Sequence, residues 1–244
     1  MNMTSIIFSR EFKSYFTTPV AYVFIIIFLV LAGVFTFYLG NFYEIEEASL
    51  KAFFEYIPWL FLFLIPAITM RLWSEERKTG TIELLLTLPI SMWQAVLGKF
   101  LAAWAFTTIA IMLTFPIWVI VNILGSPDNG VIICGYFGTI LMAGGLLAVG
   151  SCISAATKNQ VIAFIIALAI NFILLLAGFS IVLDAFSGWA PEMLVDAVSS
   201  LSFLTHFDSM AKGVIDLRDI IYFVSMIIVW LYATAIIIDS KKAS

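Results

Sequence analysis

The chain has 244 residues, of which 63% fall in the apolar set AVILMFWYC and 11% are charged, with a formal net charge of −4. A soluble domain is about 45–50% apolar and about 25% charged, so this composition excludes a soluble enzyme, a disordered tail and a nucleic-acid-binding module. The surplus is bulky and aromatic, with 23 Phe, 7 Trp and 8 Tyr, as suits a surface solvated by lipid tails and headgroups.

Residues 1 to 17 are too mixed to cross a membrane. Phe8, Phe12, Tyr15 and Phe16 share one helical face beside Arg10 and Lys13, the pattern of a helix lying in the membrane interface. Pro19 then opens the first of six apolar runs: 19–40, 52–70, 97–124, 132–156, 161–183 and 220–238. About 20 residues at about 1.5 Å each cross a hydrocarbon core of about 30 Å. The apolar residues are continuous rather than alternating, so each run predicts a helix and not a barrel strand. The second run is the least regular, since Pro58 and Pro66 interrupt it and Glu55 must sit at its outer edge. Pro116 is expected to kink the third. The first run is too long for the apolar core of a cleavable signal peptide, so the first span is expected to remain in the protein.

Six spans put both termini on one side, and lysine and arginine choose it. Arg10, Lys13, Arg71, Arg77, Lys78, Lys99, Lys158, Lys241 and Lys242 fall on the terminal side, against Lys51, Lys212 and Arg218 opposite. Five carboxylates lie with the nine cations and eleven with the three. The positive-inside rule therefore places both termini in the cytoplasm.

Between the spans, 41–51 reads as a solvated acidic turn and 126–130 as a turn by composition. Residues 184–219 contain Met193, Leu194, Ala197, Val198, Leu201 and Leu204 at helical spacing, which predicts one or two amphipathic helices on the outer leaflet. Whether they gate a path or cap the bundle is open at this level. The single histidine, His206, lies there without a second imidazole or a nucleophile beside it in sequence, and reads as an interfacial or hydrogen-bonding residue. Cys134 and Cys152 share the fourth span, roughly 27 Å apart along one helix, too far to bridge. Cys152 continues a small-residue stripe with Gly144 and Ala148, suited to close contact with the chain's own helices or with a second copy. The span cores carry essentially no ionisable residues, which argues against ion-coupled transport and intramembrane proteolysis. Asn122 and Asn171 are the polar exceptions and are expected to hydrogen-bond between helices.

The cytoplasmic loop 71–91 is the most informative segment. Thr81 is placed to cap a helix whose early Glu83 complements its dipole, with Leu84, Leu85, Leu86 and Leu88 as apolar contacts before Pro89 stops it. A solvated, topology-setting loop accounts for the charges but not for four leucines.

The run SEERKTGTIELLLTLPIS resembles the signature loop of ABC type-2 permeases, and the stretch from His206 to Tyr222 is similar to the gliding-motility-type subgroup. The resemblance implies an all-α polytopic protein forming a single permease domain over 1–244. Residues 1–18 would be the elbow helix, 19–183 spans one to five, 184–219 the reentrant outer helices, and 220–244 the sixth span and tail. It further implies that Glu75, Glu76, Arg77, Lys78, Thr79, Gly80, Thr81, Glu83, Leu84, Leu85 and Pro89 form the surface, containing the coupling helix, that docks a cytoplasmic ABC ATPase. The chain carries no Walker P-loop pattern, so it is expected not to be an enzyme and to bind no cofactor, with ATP and Mg held by the partner ATPase. A second permease copy is the other implied partner, and the subgroup adds an accessory membrane protein with a large extracytoplasmic domain. The expected setting is the bacterial inner membrane. Two functions fit: a permease performing export or other ATP-driven transmembrane work, and a non-transporting subunit that transmits the ATPase's conformational change to an extracytoplasmic partner.

Overall fold

A computed structural model describes residues 3–44, 47–82, 90–179, 182–184 and 191–240. Helix α1 is Met3–Thr17, and α2 is Pro19–Val34, extended by a π-helical turn over Phe35–Leu39. Then come α3 Lys51–Thr69, α4 Ser74–Thr79, α5 Met92–Met112 and α6 Phe115–Leu124. The remaining helices are α7 Asn129–Ala156, α8 Gln160–Leu176, α9 Glu192–Ser200, α10 Phe203–Ala211 and α11 Leu217–Ser240. Among the described residues five segments are long and apolar enough to cross a membrane: Pro19–Leu39, Lys51–Thr79, Met92–Leu124, Asn129–Ala156 and Leu217–Ser240.

Two of the predicted runs differ from the structure. The fifth, expected over 161–183, is a helix of 17 residues ending at Leu176, or about 25 Å. It stops where Ala177 and Gly178 enter a turn. The third breaks rather than kinks. Pro116 sits in the first turn of α6, where its missing N–H costs nothing. The Thr114 hydroxyl hydrogen-bonds the Ile111 carbonyl at 2.6 Å and lies 2.8 Å from the Tyr136 hydroxyl, filling the gap between α5 and α6.

Helix α7 is the hub. It packs against α3, α5, α8, α10 and α11, and 72% of its apolar span is buried, against 22% for the first span and 28% for the last. Its small residues make this crowding possible. A Cβ at Gly150 would stand 2.2 Å from Thr69 Oγ1, so α3 can lie this close only over a glycine. The stripe Gly144, Ala148 and Cys152 faces inward: Gly144 meets Trp104 and Ile227, and Ala148 and Cys152 are buried. It is therefore used within the chain.

The apolar face expected on α1 packs largely on α5. Ile7 closes over Gly98, and the Tyr15 ring stacks on Phe106 at 4.8 Å. At the other end the buried face of α10 is Phe203, His206, Phe207 and Met210, set against α7. Met193 and Leu201, expected on the apolar stripe, are exposed.

Contacts divide the bundle into two ends. Helix α1, the 70–82 segment, the start of α5 and the end of α7 meet at one, which is rich in cations. The 47–48 stretch, Gly125, the start of α7 and the 213–219 stretch lie at the other, which is acidic.

Candidate functional site

The basic end carries a joint built from four elements. After α3 the chain turns through Met70–Trp73 and enters α4, whose first amides need acceptors that the helix cannot supply. Trp73, in the N-cap position, offers no side-chain oxygen. Ser154 of α7 does the work. Its hydroxyl accepts the Trp73 N–H at 3.1 Å and the Ser74 N–H at 3.2 Å, and donates to the Met70 carbonyl at 3.1 Å. That uses a hydroxyl's one donor and two acceptor positions in full. Ser151, one turn earlier, accepts the Trp73 indole N–H at 3.1 Å, and Trp73 is wholly buried. In return, Arg77 of α4 donates to the Ala155 carbonyl at 2.6 Å, one of the carbonyls that the end of α7 leaves unsatisfied. The two helices cap each other.

Lys99, in the second turn of α5, completes the joint. Its side chain is 3% exposed. The ammonium lies 2.8 Å from Glu76 Oε1, 3.3 Å from Glu11 Oε1 and 5.3 Å from the Trp73 ring centroid. Glu11 also accepts from Arg10 at 2.8 Å. Burial pushes the Glu11 carboxyl up, but Lys99 and Arg10 outweigh it and hold the group below the ordinary glutamate range. A buried ammonium is tolerated only with such partners, since removing one partner of a buried pair costs about 3–5 kcal/mol. Lys99, counted among the cations of the terminal side, is thus buried at the basic end of the bundle.

The predicted docking residues separate into three groups. Glu76 and Arg77 point back into the protein and hold α4 in place. Glu75, Lys78, Thr79, Gly80 and Thr81 are exposed. Gly80 ends α4 with φ of 74°, a left-handed conformation that suits glycine. Glu83, Leu84, Leu85 and Pro89 lie outside the described residues, and so does the helix expected to follow Gly80 beyond Ile82. Sequence reasoning did not find Glu11, Trp73, Ser151 and Ser154, nor the burial of Lys99. The available signal was a Ser-x-x-Ser pair closing a Gly- and Ala-rich span, and a lysine inside a helix of otherwise apolar and small residues.

The acidic end holds a second buried polar cluster. His206 Nδ1 lies 2.7 Å from Asp219 Oδ1 and its Nε2 lies 3.1 Å from the Ser200 carbonyl. The imidazole stacks on Tyr222 at 3.9 Å, Ser209 donates to Asp219 Oδ2, and Tyr222 donates to the Leu201 carbonyl at 2.5 Å. His206 is a hydrogen-bonding residue, as expected, inside the protein rather than on its surface. Ser209 bonds the aspartate and not the imidazole, so the arrangement does not activate a nucleophile. Asn122 links α6 to α7 through Asn129 at 3.1 Å. Asn171 is buried with neither amide atom hydrogen-bonded among the described residues, so the expected interhelical bond is not made. An apolar cleft of about 240 Å³ opens between α6 and α7, lined by residues including Phe115, Trp118 and Phe137.

A family model described as ABC-2 family transporter protein matches residues 5–239 of the chain. No curated protein matches it.

Proposed function

We propose, since the chain belongs to the ABC-2 transporter family, that it is the transmembrane permease subunit of a transporter driven by a separate cytoplasmic ATPase. In this reading α8 is the fifth of six spans, α1 is the interfacial elbow, the basic end faces the cytoplasm with both termini, and a second permease copy completes the unit in a bacterial inner membrane. ATP and Mg are held by the ATPase. An accessory membrane protein with a large extracytoplasmic domain fits the acidic end.

The observation that carries the reading is the two-sidedness of α4. Its inner side is tied down by Trp73, Glu76 and Arg77, while Glu75, Lys78, Thr79, Gly80 and Thr81 are left to the outside. A rigidly seated helix with a free polar face is what a partner needs in order to push on the bundle. Exposed charges there steer and orient a partner, while apolar anchors, which the leucines after Glu83 would supply, dominate its affinity.

A second reading, force transmission without net transport, is favoured by the wiring. Helix α7 touches the joint at one end and α10 near the other, and His206 ties α10 to α11. A movement at the basic end can therefore reach the outer helices through packed helices alone.

The test is co-purification of the chain with its ATPase and stimulated hydrolysis in lipid. Glu75→Lys with Lys78→Glu should abolish both, and Glu44→Lys at the acidic end should change neither. Normal association of the α4 variant would remove the docking assignment. Substrate flux alongside ATP turnover in vesicles separates the two readings, because force transmission predicts turnover alone.

A further inference from the structure

Lys99 stands where three elements meet, and each supplies something different. The ammonium belongs to α5, one carboxylate to α1 and the other to α4. Among the described residues no hydrogen bond or ion pair runs directly from α1 to α4. Helix α1 is already fastened to α5 by apolar packing, Ile7 over Gly98 and Tyr15 on Phe106. The direct attachment of α4 to that pair is therefore centred on Lys99, which pairs with Glu76 and lies over the Trp73 ring, while Arg10 adds a longer-range attraction to Glu76. The attachment of α4 to α7 is separate, through Ser154 and Arg77.

From this geometry we propose that Lys99 is a positioning residue that makes the α1–α5 pair follow α4. The inference rests on the reading that α4 receives the ATPase. A displacement of α4 must either carry α5 and α1 with it or pull Glu76 off an ammonium that is only 3% exposed. The first course is the cheaper. Glu11 serves the same end, since it balances the lysine when Glu76 shifts and keeps the charge seated on the α1 side. Without Lys99, α4 would remain capped by α7 but would no longer pull directly on α5 and α1.

The experiment uses the complete permease–ATPase complex in lipid nanodiscs, with Cys134 and Cys152 replaced by Ala and spin labels at Lys13→Cys on α1 and Arg71→Cys beside α4. Both label sites are exposed. With Lys99 present, the label-to-label distance should be the same in the nucleotide-free and ATP-trapped states. In Lys99→Met it should change with nucleotide, and the permease's stimulation of hydrolysis should fall about tenfold, within the usual range of coupling between sites. Lys99→Arg should restore both. Because Lys99→Met leaves a carboxylate unpaired, the triple variant Lys99→Met, Glu11→Gln, Glu76→Gln supplies a neutral joint of similar volume that should fold yet remain uncoupled. A triple variant with a fixed distance and full stimulation overturns this inference alone. A wild-type chain that captures no ATPase overturns the docking reading and this inference together.

Discussion

The two ends of the bundle each bury a charge and use it differently. At the acidic end His206 and Asp219 are both under 10% exposed, come from neighbouring helices, and close a short stretch of chain on itself. At the basic end one lysine is shared by two carboxylates, each about one-fifth exposed, from elements far apart in the chain. The first arrangement is a local staple and the second a joint between separate parts. The difference teaches that burial and connectivity measure different things: the better-buried pair should matter more to stability, and the better-connected one more to transmission.

Breaking the staple should give the largest loss of stability. His206→Leu leaves the Asp219 carboxylate buried with only Ser209 beside it, an expected cost of about 3–5 kcal/mol. Asp219→Asn keeps a polar partner for the ring and should cost much less. Lys99→Met should destabilise less than His206→Leu, because Glu11 keeps Arg10 and the Glu11 and Glu76 side chains are each about one-fifth exposed, with only Glu76 Oε2 buried and unpaired. Thermal unfolding of the three purified variants in one detergent ranks them. Equal losses for Lys99→Met and His206→Leu would break the comparison.

Next in size is the packing beneath the joint. Gly150→Ala drives a methyl to 2.2 Å from Thr69 Oγ1 and 2.7 Å from its Cβ, and overpacking of this kind costs about 1–3 kcal/mol. Ser154→Ala removes three hydrogen bonds and leaves the Trp73 and Ser74 amides buried without acceptors, at about 1–3 kcal/mol each by the general rule and less if α4 shifts. Amide exchange distinguishes the two. Ser154→Ala should speed exchange in α4 selectively, whereas Gly150→Ala should loosen α3 and α7 together.

The hydrophobic runs made most of this bundle legible, and lysine and arginine do collect at one end of it. What escaped was long-range. Lys99 was visible as a residue but not as a buried one, because its partners Glu11 and Glu76 sit on other helices and only the folded bundle brings them within 3.3 Å. Ser154 looked like one more small residue, since capping a helix from a neighbour leaves no local pattern. Pro116 was legible as a disturbance, yet whether it kinks or breaks a span depends on Thr114 finding Tyr136. The helices α9 and α10 were found by periodicity, but the face chosen for α10 belongs to Phe203, Phe207 and Met210 because α7 offers glycines opposite Phe203 and Met210.

The smallest expected effect is the acid response of the joint, and it sharpens the contrast with the staple. Glu11 is held below the ordinary glutamate range because the charges of Lys99 and Arg10 outweigh its burial. A carboxylate depressed in the folded state binds fewer protons there than in the unfolded chain. Its contribution is therefore complete above the unfolded value of about 4.3 and disappears as pH falls through the lower folded value. Between pH of about 7 and about 5 the attachment of α1 should not change. Below about 4.3 wild type should lose stability faster than Glu11→Gln, which lacks the contribution at every pH, and the two unfolding curves should converge. Tyr15 fluorescence, isolated by comparing wild type with Tyr15→Phe, follows the stack on Phe106 and reports α1 directly. Convergence between about 7 and about 5, or none in acid, would mean that the ion pair to Lys99 does not hold α1 to the joint.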